Sequence, residues 1–176
     1  MLVEGPSEVG ALWKLQEAMD ARWDERGIAL IPVGGKRSLD RPAVIFRGLS
    51  IPTYFVVDAD RRHRGTGDEE TTKKANQICL RLAGASVDES FPDTHVDASW
   101  TVLEENFEAL LLHELGRDEL TELLRQVADE LGYEGGQRVL KNVEGSARMV
   151  ELALEQGRQL PTLERIVESV TALSEQ

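Results

Sequence analysis

Leu2-Val3-Glu4-Gly5 and Tyr54-Phe55-Val56-Val57-Asp58-Ala59-Asp60 decide the fold. Each is a short apolar run that closes on carboxylates, and a buried strand reads as such a run. In an open parallel sheet, ligands gather beyond the carboxyl ends of the strands. Adjacent strands ending this way bring Glu4, Asp58 and Asp60 into one cluster. Close carboxylates repel one another unless a proton or a cation sits among them. Hard divalent ions such as Mg²⁺ take oxygen ligands of this kind. The pattern points to a metal site, and a site of this type points to phosphate chemistry.

Outward from these two stretches the chain alternates. Ser7 reads as an N-cap, and Leu12, Leu15, Met19 and Trp23 recur at steps of three and four. That spacing predicts a helix over 8–26, with Gly27 as its stop. The run 28–33 is a second strand closed by Gly34-Gly35, 39–49 a shorter crossover, and 53–57 a third strand. Strands alternating with helices predict parallel pairing through right-handed crossovers. A helix over 71–83 has Ala75, Ile78, Cys79 and Leu82 inward and Gly84 as a stop. The stretch 85–99 reads as irregular and 100–103 as a last strand. The rest reads as helices: one from an N-cap at Asp118 to Gly132, then 137–156 and 162–173. The fold class is therefore α/β, a parallel sheet flanked by helices and followed by a small helical subdomain. The division falls between 1–115 and 116–176.

A chain of 176 residues, 41% of them hydrophobic, suffices for one domain with an appendage. No apolar run approaches the roughly 20 residues of a membrane span, and the first residues lack the sections of a signal peptide. A cytoplasmic protein without a membrane partner is expected. A strand directly after Met1 points to one domain of a longer protein. Cys79, the sole cysteine, rules out an intrachain disulfide and a thiolate metal cage, and it reads as a small buried hydrophobe. A net charge of −12 opposes affinity for polyanions. The charge is uneven, however. Between 36 and 64, Lys36, Arg37, Arg41, Arg47, Arg61, Arg62 and Arg64 face only Asp40, Asp58 and Asp60, whereas 101–134 is strongly acidic.

Asp58-x-Asp60 at a strand end is the strongest signal. Strand alternation puts both side chains on one side, facing an ion that needs only one or two carboxylates beside its waters. The plain alternative is an ordinary turn, where Asp is common. Glu4 has the competing reading of a loop residue. Glu8, near a helix N-terminus, is equally explained by the helix dipole. Glycines at 34 and 35 allow close backbone approach, and Lys36 is placed to meet a phosphate. The spacing G-x-x-x-x-G-K-[ST] is absent, so this segment makes no case for ATP. Glu104, Glu105 and Glu108 open a predicted helix, either as dipole partners or as a second set of ligands. Lys141 reads as a surface lysine or a charge-stabilising group. His63, His95 and His113 lack metal-ligand spacing.

Together these residues resemble the Toprim domain, the metal-binding module of type IA topoisomerases, gyrase, bacterial primases and some nucleases. More narrowly, the chain is similar to the C-terminal half of an OLD-family (overcoming lysogenization defect) nuclease. Leu-Val-Glu-Gly-Pro-Ser-Glu-Val at 2–9 carries the likeness, as do Ile51-Pro52 and Leu103-Glu104-Glu105-Asn106-Phe107-Glu108. Lys141, in Val-Leu-Lys-Asn, matches a further family lysine. The resemblance implies a Toprim-like sheet and a metal-dependent DNA endonuclease or nickase that uses two Mg²⁺ or Mn²⁺ ions. It implies Glu4, Glu8, Asp58, Asp60, Glu105 and Glu108 as ligands, and Glu4 and Lys141 as catalytic groups. Lys36, Arg37 and Arg61 would hold DNA phosphates. An ATPase domain in the longer protein, and a homo-oligomer formed through regions outside this chain, are implied as well. Other readings remain open. A topoisomerase needs a catalytic tyrosine, and of Tyr54 and Tyr133 the first opens a buried strand; a primase needs a nucleotide-selecting element. A metal-stabilised protein-interaction module, or a receiver-like fold phosphorylated at Asp58, would use the same carboxylates differently.

Overall fold

The computed structural model describes residues 1–85 and 89–175, so 86–88 of the stretch read as irregular lie outside the described residues. Five short strands form one sheet: β1 (Leu2–Val3), β2 (Ile31–Pro32), β3 (Phe55–Asp58), β4 (His95–Val96) and β5 (Trp100–Leu103). Their order is β2-β1-β3-β5-β4. The first four positions pair in parallel, with Leu2 opposite both Ile31 and Phe55, and Phe55 through Asp58 opposite Trp100 through Leu103. β4 adds an antiparallel edge that the sequence reading left as irregular chain. The helices are α1 (Pro6–Ala18), α2 (Asp40–Gly48), α3 (Glu69–Ala83), α4 (Phe107–Leu115), α5 (Arg117–Leu131), α6 (Val143–Glu155) and α7 (Pro161–Leu173). No helix among the described residues is long and apolar enough to cross a membrane.

Successive side chains of a strand point to opposite faces, and β3 shows both destinations. Phe55 and Val57 join Leu2, Leu39, Ala43, Cys79 and Ala83 under α2 and α3. Val56 joins Val3, Leu12, Leu15 and Leu103 on the other face, in a core that continues into α4, α5, α6 and α7. α1 lies close against α6 there. A Cβ built on Gly10 would stand 2.0 Å from the Val143 carbonyl oxygen and 2.2 Å from Ser146 Oγ. Glycine is what lets the two backbones meet.

Several boundaries differ from the sequence reading. α1 ends at Ala18, not near 26, because Asp20 and Arg22 take left-handed conformations (φ 53° at each). Trp23 is still buried, but from a loop. Its backbone N–H donates to Gln16 Oε1 at 3.1 Å and its indole to Thr171 Oγ1 at 3.0 Å. β2 shrinks to two residues as Gly34 and Gly35 turn to donate to the Glu4 carbonyl, at 3.0 and 2.9 Å. α3 is rotated from the expected face: Ile78 is half exposed while Asn76 and Leu80 are buried. The expected helix over 137–156 is broken. A 3-10 helix (Gly136–Lys141) comes first, and Asn142 then caps α6 by accepting from Gly145 N at 2.7 Å. Asp118 does not cap α5, which starts one residue earlier, after Gly116.

Candidate active site

The carboxyl ends of β1 and β3, the N-termini of α1 and α4, and the end of the Gly136–Lys141 turn converge. They border an open cavity of about 590 Å³ lined by Glu4, Glu8, Asp58, Asp60, Glu108 and Lys141, with Arg62 and Asn106 beside them. The structure thus brings together six of the residues singled out in sequence. Glu105 is set apart: it faces a neighbouring cavity with Glu104 and His113, and its Oε2 accepts from Arg62 N at 3.0 Å. The reason is local. Asn106 Oδ1 accepts from Ala109 N at 2.9 Å and starts α4 there, so Glu104 and Glu105 precede the helix and only Glu108 lies in its first turn.

Glu4 leaves β1 with both oxygens engaged by backbone: Oε1 accepts from Asp58 N at 2.9 Å and Oε2 from Lys36 N at 3.0 Å. Burial pushes its carboxyl up, and those two N–H groups oppose the shift. Asp58 ends β3, and its Oδ1 is buried with no hydrogen-bond partner. Burial raises the Asp58 carboxyl strongly, with further contributions from Glu4, Glu8 and Asp60. Glu8 is buried at 4% exposure, and its carboxyl is pushed up to about 7 by burial and then by Glu4 and Glu108. Asp60 does not continue the strand. It takes a left-handed conformation (φ 51°, ψ 47°), one that Asp tolerates better than most residues. Its place therefore comes from a turn and not from strand alternation. Its two oxygens meet Lys36 Nζ and an Arg62 guanidinium nitrogen, at 2.7 and 2.6 Å.

The cations divide into those held among protein acceptors and those that stand exposed. Lys36 is drawn inward and bonded within the cluster. Arg61 pairs with Glu104 and with Asp93, at 2.5 Å to the latter, and donates to the Phe91 carbonyl at 2.9 Å. Both were read in sequence as phosphate contacts, and both are committed to protein acceptors. Arg37 is exposed on the short 3-10 helix Lys36–Ser38. Lys141 is exposed and reaches Glu108 Oε1 at 2.7 Å. Asn76 and Arg62 are part of the site without having been singled out. A polar residue on the buried stripe of α3 was the available signal for Asn76.

As the side chains stand, no three Asp, Glu, His or Cys groups among the described residues are gathered tightly enough to cage an ion. The donor chemistry nevertheless fits a hard divalent cation. Asp58, one of whose oxygens is buried without a partner, lines the cavity with Glu8, and all the acidic donors are oxygens. A cation there would offset the burial and the mutual repulsion that raise the Glu4, Glu8 and Asp58 carboxyls.

The sheet is largely parallel, with Glu4 beyond β1 and Asp58-x-Asp60 beyond the central strand β3, which is a Toprim-like arrangement. Residues 1–60 match the family model described as "Overcoming lysogenization defect protein-like, TOPRIM domain", so this part of the chain is similar to that family. The fold extends the likeness over the remainder. The C-terminal region of the Xanthomonas campestris pv. campestris OLD protein superposes with a TM-score of 0.62 at 16% identity, covering 99% of this chain and 94% of that one. The C-terminal region of the Burkholderia pseudomallei OLD protein gives 0.57 at 20% identity, covering 98% and 96%. No curated protein matches the sequence significantly.

Proposed function

We propose that this chain is a metal-dependent nuclease domain that cleaves DNA phosphodiester bonds with Mg²⁺ or Mn²⁺, within a longer protein that also carries an ATPase domain. The observation that carries the reading is Asp58, which lines the cavity with Glu4, Glu8 and Asp60 and whose Oδ1 is buried without a hydrogen-bond partner. Asp58 and Glu8 would hold the ion, with Glu4 beside them. A bound divalent ion polarises a phosphoryl oxygen and lowers the pKa of its water. Glu108, on the cavity wall, is the residue to which the resemblance would give a second ion. Lys141 stands exposed on the cavity wall, where its ammonium can stabilise charge that develops on the phosphoryl oxygens. Arg62 on the cavity wall and Arg37, exposed in a neighbouring cavity that Glu4 and Asp60 also line, would supply phosphate contacts. They offset, locally, the repulsion between an acidic protein and DNA.

Supercoiled plasmid with Mg²⁺ or Mn²⁺ tests the reading. Wild type is expected to nick or cut it, EDTA to abolish cutting, and Asp58→Ala to reduce the rate at least about 100-fold, as loss of a charge-stabilising group does. An Asp58→Ala chain that cuts like wild type sinks the assignment. A second reading draws on the engagement of Glu4, Asp60 and Glu108 with protein donors. In it the cation is structural and the domain a protein-interaction module. Mn²⁺ would then raise the melting temperature with no cleavage at any concentration.

A further inference from the structure

Lys36 follows Gly34-Gly35 out of β2, yet its side chain is only 9% exposed and ends inside the acidic cluster. Its Nζ donates to the Asp58 carbonyl oxygen at 2.5 Å, to Asp60 Oδ2 at 2.7 Å and to Asn76 Oδ1 at 2.8 Å. An ammonium has three N–H groups, and all three are used. The backbone N–H of the same residue holds Glu4 Oε2. One residue therefore fixes the ends of both β1 and β3. Asn76 is itself locked, because its amide nitrogen donates to the Ala59 carbonyl at 2.8 Å and the Ser90 carbonyl at 2.7 Å. Its Oδ1 is left turned to the ammonium. With Arg62 on the other oxygen, both Asp60 oxygens have cationic partners, while Asp58 Oδ1 has none.

We propose that Lys36 is the positioning residue of this site, a resident cation that occupies the Asp60 side, so that the chain takes one divalent ion, at Asp58 and Glu8. A second dication on Asp60 would either stand beside the ammonium, against strong repulsion in a poorly solvated place, or displace it. Displacement would leave a buried charge without its three acceptors, which is costly. The inference departs from the two-ion count that the resemblance implies, and it rests on the reading of the cavity as an ion site.

Mn²⁺ binding to the full 176-residue chain, counted by the electron paramagnetic resonance of free Mn²⁺, tests it alongside melting in EDTA. Wild type is expected to bind one Mn²⁺. Lys36→Met is expected to melt lower in EDTA, to be restored by Mn²⁺, and to bind two ions, the second in place of the ammonium. Adding Asp60→Asn to Lys36→Met should recover the melting temperature in EDTA, because the uncompensated carboxylate is gone. Two ions on wild type, or a Lys36→Met count that does not rise, overturns the proposal. If Lys36→Met fails to fold in EDTA, the double variant decides: recovery supports the proposal and equal failure overturns it. None of these readouts needs cleavage. A wild type that binds one Mn²⁺ and leaves plasmid intact removes the nuclease reading alone. A wild type that binds none removes both.

Discussion

Glu8 ties the chemistry of the cavity to the stability of the fold. Its ordinary pKa of 4.5 is raised to about 7 in the folded chain. Between these values the unfolded chain has lost the proton that the folded chain keeps, so stability falls as pH rises through this window and is fully present below it. Glu122, Glu130 and Glu151 run the other way, since Arg125, Arg148 and Lys14 respectively lower their carboxyls. The comparison must therefore be by difference. In EDTA, the stability of Glu8→Gln relative to wild type is expected to rise by on the order of 2 kcal/mol from pH 5 to pH 7, measured by urea unfolding; parallel curves would sink it. Cys79 gives a second expectation. It is 2% exposed and its thiol is pushed up to about 12 by burial. Because the thiolate is the reactive form, iodoacetamide at pH 8 should label it only in denaturant. Single residues differed in how far the sequence disclosed them. Cys79 was legible because its apolar neighbours recur at helical steps. The position of Lys36 was not, because it depends on Asn76, 40 residues away, whose amide is oriented by two carbonyls.

Elements were legible where their ends are written in the chain and obscure where tertiary contacts end them. α2 and α7 fall close to their expected bounds, with Pro161 opening α7. The heptad-like spacing of Leu12, Leu15, Met19 and Trp23 hid the end of α1, because Trp23 meets the same core from a loop turned by Asp20 and Arg22. Asn142, an N-cap residue, divides the stretch whose spacing predicts one helix. Removing that cap by Asn142→Ala is expected to lower stability by about 1 kcal/mol, visible as a lower urea midpoint. Gly10→Ala should cost more, on the order of 3 kcal/mol. The added carbon meets backbone of α6 that cannot step aside as a side chain could. Glu17→Ala, exposed on the same helix, is the control and is expected to stay within about 0.5 kcal/mol of wild type. Equal effects at 10 and 17 would mean that α1 and α6 are not in close contact.

At the scale of the whole molecule, the α/β class and the sheet direction could be read from strand–helix alternation, but the way the helical part is attached could not. Composition changes near Gly116, which marks a turn between α4 and α5 (φ 81°). Packing does not change there. Leu12 and Leu15 of α1 share one core with Met149, Val150 and Ala153 of α6 and with Leu163 and Ile166 of α7. Long-range pairings of this kind leave no local mark in a sequence, because each helix shows only that it has an apolar face, not which face covers it. They do set an outcome for truncation. A chain of residues 1–115 would expose Leu12, Leu15, Phe107 and Leu111, each buried to within 2% in the full chain. At about 2 kcal/mol per large apolar side chain, that loss is comparable to the 5–15 kcal/mol by which a typical domain is stable. Residues 1–176 are therefore expected to melt in a single cooperative transition, and 1–115 to aggregate or to melt without one. If 1–115 stays monomeric and unfolds cooperatively with a native-like circular dichroism spectrum, the sheet has a core of its own. The acidic cavity, whose wall includes Lys141 from the far side of that cut, would then be assembled from two separately stable parts.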